Sequence, residues 1–191
     1  PDMFSDRQAQ AWMQRCLPKR TASEWPADNF MQTAKWRMLV IGETGSGMYF
    51  HPDGLLTGTF QAHMHGRKRW VICDPSQEPY LYNPGDFDAF EPDLQKFPRY
   101  GMARCADVVV QPGELVYYPT RWWHATRVLD PFTYGLTGRV LNQDNYQQMY
   151  SFLRNHCEHP GPDVSLQFKG AQPNLSRANC QALEKCRAVW R

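Results

Sequence analysis

From residue 36 to residue 138 the chain is a series of short apolar or alternating runs, each stopped by a proline or a glycine. With 15 prolines and 13 glycines in 191 residues, long helices have little room: proline removes a backbone donor and glycine frees the chain to turn. The runs at 36–41, 48–51, 57–64, 68–73, 107–111, 115–118, 123–129 and 132–138 read as strands. The turn His65-Gly66-Arg67 predicts a hairpin between 57–64 and 68–73, and Asp130-Pro131 predicts a second between 123–129 and 132–138. Pro112-Gly113-Glu114 is a tight turn. The flanks differ. Residues 5–16 fit a helix capped by Ser5, with Ala9, Trp12, Met13 and Cys16 at helical spacing, and 17–35 a loop. Residues 143–156 place Tyr146, Met149, Tyr150 and Leu153 on one helical face. A loop at 160–174 precedes a helix at 176–188, capped by Ser176. The expected class is mainly β, a sandwich or barrel with flanking α-helices. It is organised as one domain: an N-terminal helix and loop (1–35), a barrel (36–140), and C-terminal helices packing on it (141–191). Residues 74–106 are proline-rich without periodicity, which marks a functional insertion or lid.

Composition narrows the classes. The net charge of +2 gives no footing for a nucleic-acid surface, and no apolar run approaches the roughly 18 residues a membrane span needs. A soluble protein of cytoplasm or nucleus is favoured, with a secretory lumen left open by the cysteines. None of the six cysteines forms a CxxC pair, which argues against a structural zinc knuckle. Cys73, inside Trp70-Val71-Ile72-Cys73, reads as a buried free thiol. Cys157, Cys180 and Cys186 form either a disulfide or reduced thiols, so the compartment stays open.

The chemistry sits in His51-Pro52-Asp53 and in His124, 71 residues after the aspartate. On a strand, residues i and i+2 point to one side, so His51 and Asp53 can reach one ion. Two imidazoles and a carboxylate suit Fe(II) and leave positions open for O2 and an organic co-substrate. Taken alone, an HxD pair matches by chance, as a structural histidine and a turn aspartate. Lys68, 17 residues after His51, is either a solvated cation of Arg67-Lys68-Arg69 or an inward ammonium. The inward case demands a counter-charge, which a dicarboxylate supplies. Thr137 could donate to the same carboxylate or be a strand former. Other motifs have plainer readings. His63 and His65 fit a surface hairpin, and His156 and His159 a helix C-terminus. Gly42-Glu43-Thr44-Gly45-Ser46-Gly47 lacks the Lys-Ser/Thr ending of a phosphate loop and reads as a turn. The aromatics Tyr80, Tyr82, Phe87, Phe90, Phe97 and Tyr100 either clamp a peptide or cover the barrel as a lid.

In order, His51-Pro52-Asp53, Gly66-Arg67-Lys68-Arg69-Trp70, Pro112-Gly113-Glu114-Leu115-Val116-Tyr117-Tyr118-Pro119 and Trp122-Trp123-His124-Ala125-Thr126 resemble the Jumonji-C family over roughly residues 36–140. The similarity is greatest to its small JmjC-only branch of protein hydroxylases. The resemblance implies a double-stranded β-helix, the cupin-like jelly roll. It implies Fe(II) held by His51, Asp53 and His124, with 2-oxoglutarate and O2 as co-substrates. It implies that Lys68 binds the 5-carboxylate of 2-oxoglutarate, helped by Thr137, with one extra residue at Asp130-Pro131 ahead of it. Met48 stands where many members carry threonine, so Tyr49 or Thr59 is expected to replace that hydrogen bond. Gln61 stands where relatives often carry asparagine beside the co-substrate. The implied activity is hydroxylation of a side chain in a protein or peptide substrate. N-methyl-lysine demethylation and a non-catalytic cupin-like binding role are the alternatives. As in some relatives, the terminal helices could form a homodimer surface.

Overall fold

The computed structural model describes residues 37–54, 56–82, 87–140 and 142–158. The helices expected at 5–16 and 176–188, the loops at 17–35 and 160–174, and Cys16, Cys180 and Cys186 lie outside them. Arg37–Val140 forms one compact unit, and the helix α1 (Gln143–Glu158) belongs to a second. On α1, Met149, Tyr150 and Leu153 are buried, the face that helical spacing predicts. No helix of the described residues is long and apolar enough to cross a membrane.

The described residues of the first unit form eight strands: β1 (Arg37–Gly42), β2 (Gly47–Pro52), β3 (Gly58–His65), β4 (Lys68–Cys73), β5 (Cys105–Val110), β6 (Leu115–Tyr118), β7 (Trp123–Val128) and β8 (Thr133–Val140). They form two antiparallel four-stranded sheets, ordered β1-β8-β3-β6 and β2-β7-β4-β5, a jelly-roll arrangement as expected. Neither expected hairpin exists. β3 pairs with β6 and β8, while β4 pairs with β5 and β7. β7 and β8 likewise lie in different sheets. Each short turn carries the chain across the sandwich instead of back along its own sheet. At the β3–β4 crossing Gly66 has φ +71°, and a Cβ there would lie 2.5 Å from the Phe132 carbonyl oxygen. Only glycine fits that crossing.

Alternation along the strands gives the second sheet two apolar faces. Inward, Trp70, Val110 and Tyr118 pack with Ile72, Val116 and Trp122. Outward, Phe50, Val71, Cys73, Trp123 and Ala125 pack under Leu81, Phe87 and Ala89 of the insertion. The described part of 74–104, with two short 3-10 helices at Pro75–Tyr80 and Pro98–Met102, therefore covers the outer face of this sheet. Arg127 ties it down through Asp88 and Glu91, and the guanidinium groups of Arg69 and Arg127 both lie against the Phe90 ring.

Cys73 is not a free thiol. It is disulfide-bonded to Cys105, with a Cα–Cα distance of 4.4 Å. The two face each other in the β4–β5 register, and an opposed pair this close is within bridging distance. The bond closes the insertion at its base. Cys157 is disulfide-bonded as well.

Candidate metal centre

His51 and His124 are direct partners across β2 and β7, their ring centroids 4.4 Å apart. Strict alternation does not place them there. On β2, three steps from Met48 to His51 face two steps from Thr126 to His124. This one-residue bulge re-phases the strand, turning His51 toward the interior and Phe50 to the outer core. Asp53 follows directly after β2. Its Oδ1 lies 3.7 Å from His51 Nε2 and 4.0 Å from His124 Nε2. One donor atom from each of the three lies within 4.8 Å of the others, a group that could hold a metal ion.

Proton bookkeeping shows that these donors suit a cation. His51 Nδ1 lies 2.6 Å from the carbonyl oxygen of Tyr49, and His124 Nδ1 3.2 Å from that of Trp122. A carbonyl only accepts, so each Nδ1 carries a proton, and in its neutral form each ring would turn an Nε2 lone pair to the centre. Burial pushes His124 down to about 4, with His51 adding to the lowering and Asp53 opposing it. Burial alone would raise Asp53, but the His51 hydrogen bond, the His124 and Arg139 charges and the Thr59 hydrogen bond hold it far below the usual carboxylate range. Two lone pairs and a carboxylate oxygen thus converge in a buried site, the donor set of a divalent metal that tolerates nitrogen and oxygen.

The carboxylate has its own scaffold. Its Oδ2 accepts from Thr59 Oγ1 at 2.5 Å and from the Tyr118 hydroxyl at 3.0 Å. Tyr118 also lies 3.1 Å from His124 Nε2. Burial raises the Tyr118 phenol, and the Asp53 charge raises it further, so it stays protonated. Arg139 on β8 donates to the Gly54 carbonyl oxygen at 3.0 Å and to Thr57 Oγ1 at 3.1 Å, fastening the chain that follows Asp53.

Of the other expected residues, Lys68 is buried at 5 % exposure. Desolvation lowers its ammonium, and among the described residues it has no carboxylate partner. The solvated-cation alternative for Lys68 therefore falls, whereas its neighbours Arg67 and Arg69 pair outside with Asp130 and Asp107. Gln61 is buried and faces Thr137 in the β3–β8 register. Thr137 donates to the Phe60 carbonyl oxygen at 2.7 Å, so its proton is already engaged. Tyr49 is exposed, its ring 5.3 Å from that of His51, and its contribution to the centre is a backbone carbonyl. Thr59 serves the carboxylate. Met48 is exposed, and its backbone N–H donates to Thr126 Oγ1.

The surface reading of His63 is wrong. A bulge between His63 and His65, opposite Gly135 and Tyr134, breaks the alternation. His65 stacks on Tyr134, while His63 is 4 % exposed and accepts from Trp70 Nε1 at 3.2 Å. Burial and the nearby Lys68 charge push it down to about 4, against an opposing pull from Glu114. Sequence reasoning also missed Tyr118 and Arg139. The one available signal was phase: Tyr118 and Arg139 fall on the inward positions of β6 and β8.

Residues 4–137 match the family model of the cupin-like domain. The chain belongs to the cupin-like family. Its Jumonji-C character appears in its relatives. The 2-oxoglutarate and iron-dependent oxygenase JMJD4 of Gallus gallus is 31% identical over 127 residues, covering 63% of this chain and 30% of that protein. HSPB1-associated protein 1 of Bos taurus is 28% identical over 134 residues, covering 64% of this chain and 26% of that protein. Lysine-specific demethylase JMJ21 of Arabidopsis thaliana is 28% identical over 123 residues, covering 58% of this chain and 13% of that protein. This cupin-like chain spans roughly a quarter of the length of the HSPB1-associated proteins it matches.

Proposed function

We propose that this chain carries the catalytic barrel of an Fe(II)- and 2-oxoglutarate-dependent oxygenase that hydroxylates a side chain of a protein or peptide substrate. The observation that carries this reading is a pairing inside one barrel: a His-Asp-His donor set whose donor atoms converge, and a buried ammonium that has no carboxylate partner among the described residues. His51, Asp53 and His124 would hold the iron through Nε2, Oδ1 and Nε2. Lys68 would pair with the distal carboxylate of 2-oxoglutarate, relieving the cost of its own burial. Gln61, buried opposite Thr137, would offer its amide to the co-substrate. The buried rings of Trp70 and Tyr118 lie against His124, and burial strengthens charge interactions there. When bound, iron and 2-oxoglutarate supply the activation of O2 and the oxidation of a substrate C–H bond.

The test is an anaerobic titration of the full chain. A weak visible charge-transfer band is expected only with Fe(II) and 2-oxoglutarate together, and none with Asp53→Ala. Absence of the band in the wild type would sink the reading. The demethylase alternative draws on the similarity to JMJ21. Formaldehyde released from methylated peptides, in place of a stable hydroxylated product, would favour it. Succinate production above background would exclude a purely binding role.

A further inference from the structure

We propose that Tyr118 and Thr59 are positioning residues that hold Asp53 by Oδ2, so that only Oδ1 faces the metal and the carboxylate binds through a single oxygen. The inference rests on the iron-centre reading above and concerns how wide the open face of that centre is. A carboxylate left to itself can bind a metal through one oxygen or two. Here the two oxygens have unlike surroundings. Oδ1 faces both Nε2 atoms, at 3.7 and 4.0 Å. Oδ2 accepts two hydroxyl protons, from Thr59 at 2.5 Å and Tyr118 at 3.0 Å. Turning Oδ2 toward a metal would break both bonds in a buried place, where each lost bond to a charged acceptor is costly.

Both hydroxyls come from the opposing sheet. Thr59 and Tyr118 are directly paired across β3 and β6, so one rung of that ladder supplies both donors. Tyr118 is well suited to the task because its single proton has one charged acceptor to serve. The nearby His124 Nε2, at 3.1 Å, keeps its lone pair for the ion. The consequence is a count of positions. Two histidines and a one-oxygen carboxylate fill three of six positions in an octahedral ion. A co-substrate binding through two oxygens fills two more, and one remains for a diatomic ligand. A two-oxygen carboxylate would leave none.

The experiment uses the full chain with Fe(II), 2-oxoglutarate and nitric oxide as a stand-in for O2, read by the half-integer-spin EPR signal of an iron nitrosyl. The wild type is expected to give this signal both without and with 2-oxoglutarate. The double variant Tyr118→Phe/Thr59→Val is expected to give it with Fe(II) alone and to lose most of it once 2-oxoglutarate is added. Retention of the full signal by the double variant in the presence of 2-oxoglutarate overturns the proposal and leaves the iron reading standing. A wild type that binds no Fe(II) overturns both. Should the double variant not fold, Fe(II) affinity of the single variants decides. Tyr118→Phe and Thr59→Val are each expected to bind about 10-fold more weakly, and Thr59→Ser like the wild type. Unchanged affinity in both single variants overturns the proposal.

Discussion

Lys68 shows what a single side chain costs when it is kept for a ligand. Its ammonium is buried, and among the described residues no carboxylate pairs with it. Lys68→Met should therefore raise the stability of the ligand-free protein by about 1–2 kcal/mol, since replacing a buried charge by an isosteric apolar group is often stabilising. The same variant should bind 2-oxoglutarate at least about 10-fold more weakly, the loss of one charge-assisted contact. Thermal unfolding and a binding titration check the two halves, and a destabilised variant would contradict the first. The sign of the pH effect follows from burial. Lys68 is lowered from 10.5 in the folded state, so the unfolded chain binds more protons between the lowered value and 10.5. The penalty is complete below the lowered value and is relieved as pH rises through that window. The stability gap between Lys68→Met and wild type should narrow toward pH 10. His63 acts in the acid range. Its folded value is pushed down to about 4 from an ordinary 6.5, so stability is lost as pH falls from about 6.5 to 4. Urea midpoints at pH 7 and pH 4.5 should fall less for His63→Gln than for wild type. Equal losses would show that His63 stays neutral in neither state or both.

At the scale of elements, the insertion is anchored covalently. Cys73 and Cys105 are 32 residues apart in sequence, and closing a loop of that length contributes about 3–4 kcal/mol in the chain-entropy account. Reduction, or the double variant Cys73→Ser/Cys105→Ser, should lower the melting temperature and expose the 74–104 segment to proteolysis first. Unchanged proteolysis would show that the Phe50–Phe87–Trp123 packing holds the segment unaided. These elements also show what the sequence can and cannot reveal. Strand positions were legible because short alternating runs between Pro and Gly have few other folds. Partners were not, because a tight turn reads the same whether it returns along one sheet or crosses to the other. Gly66 marks a crossing only once Phe132 is seen beside it. The two bulges, between Met48 and His51 and between His63 and His65, are invisible in an alternating pattern. They decide which side chains face inward, so His63 was misplaced; His51 and Asp53 come together at the end of β2, where the bulge rather than simple alternation sets the phase of His51. The disulfide was missed for the same reason, since it depends on the pairing of β4 with β5.

At the scale of the whole barrel, the centre is a cross-link between distant segments. His51 and Asp53 flank the end of β2, His124 lies on β7, and the hydroxyls that hold Asp53 come from β3 and β6 of the other sheet. An ion bound there would join both sheets through one carboxylate, and the unfolded chain cannot assemble those donors. Ligand binding to the folded state alone adds about 2.7 kcal/mol when free metal is at 100 times its dissociation constant. For a chain of this size that corresponds to a rise of about 5–10 °C in melting temperature. Anaerobic Fe(II) should therefore shift the transition of the 37–140 unit upward, and 2-oxoglutarate should shift it further. Asp53→Ala should abolish both shifts. Lys68→Met should keep the shift with Fe(II) and lose most of the increment from 2-oxoglutarate, because it removes the counter-charge and leaves the three metal donors in place. Equal Fe(II) shifts in wild type and Asp53→Ala would mean that the ion binds elsewhere. That result would detach the convergence of His51, Asp53 and His124 from any metal chemistry.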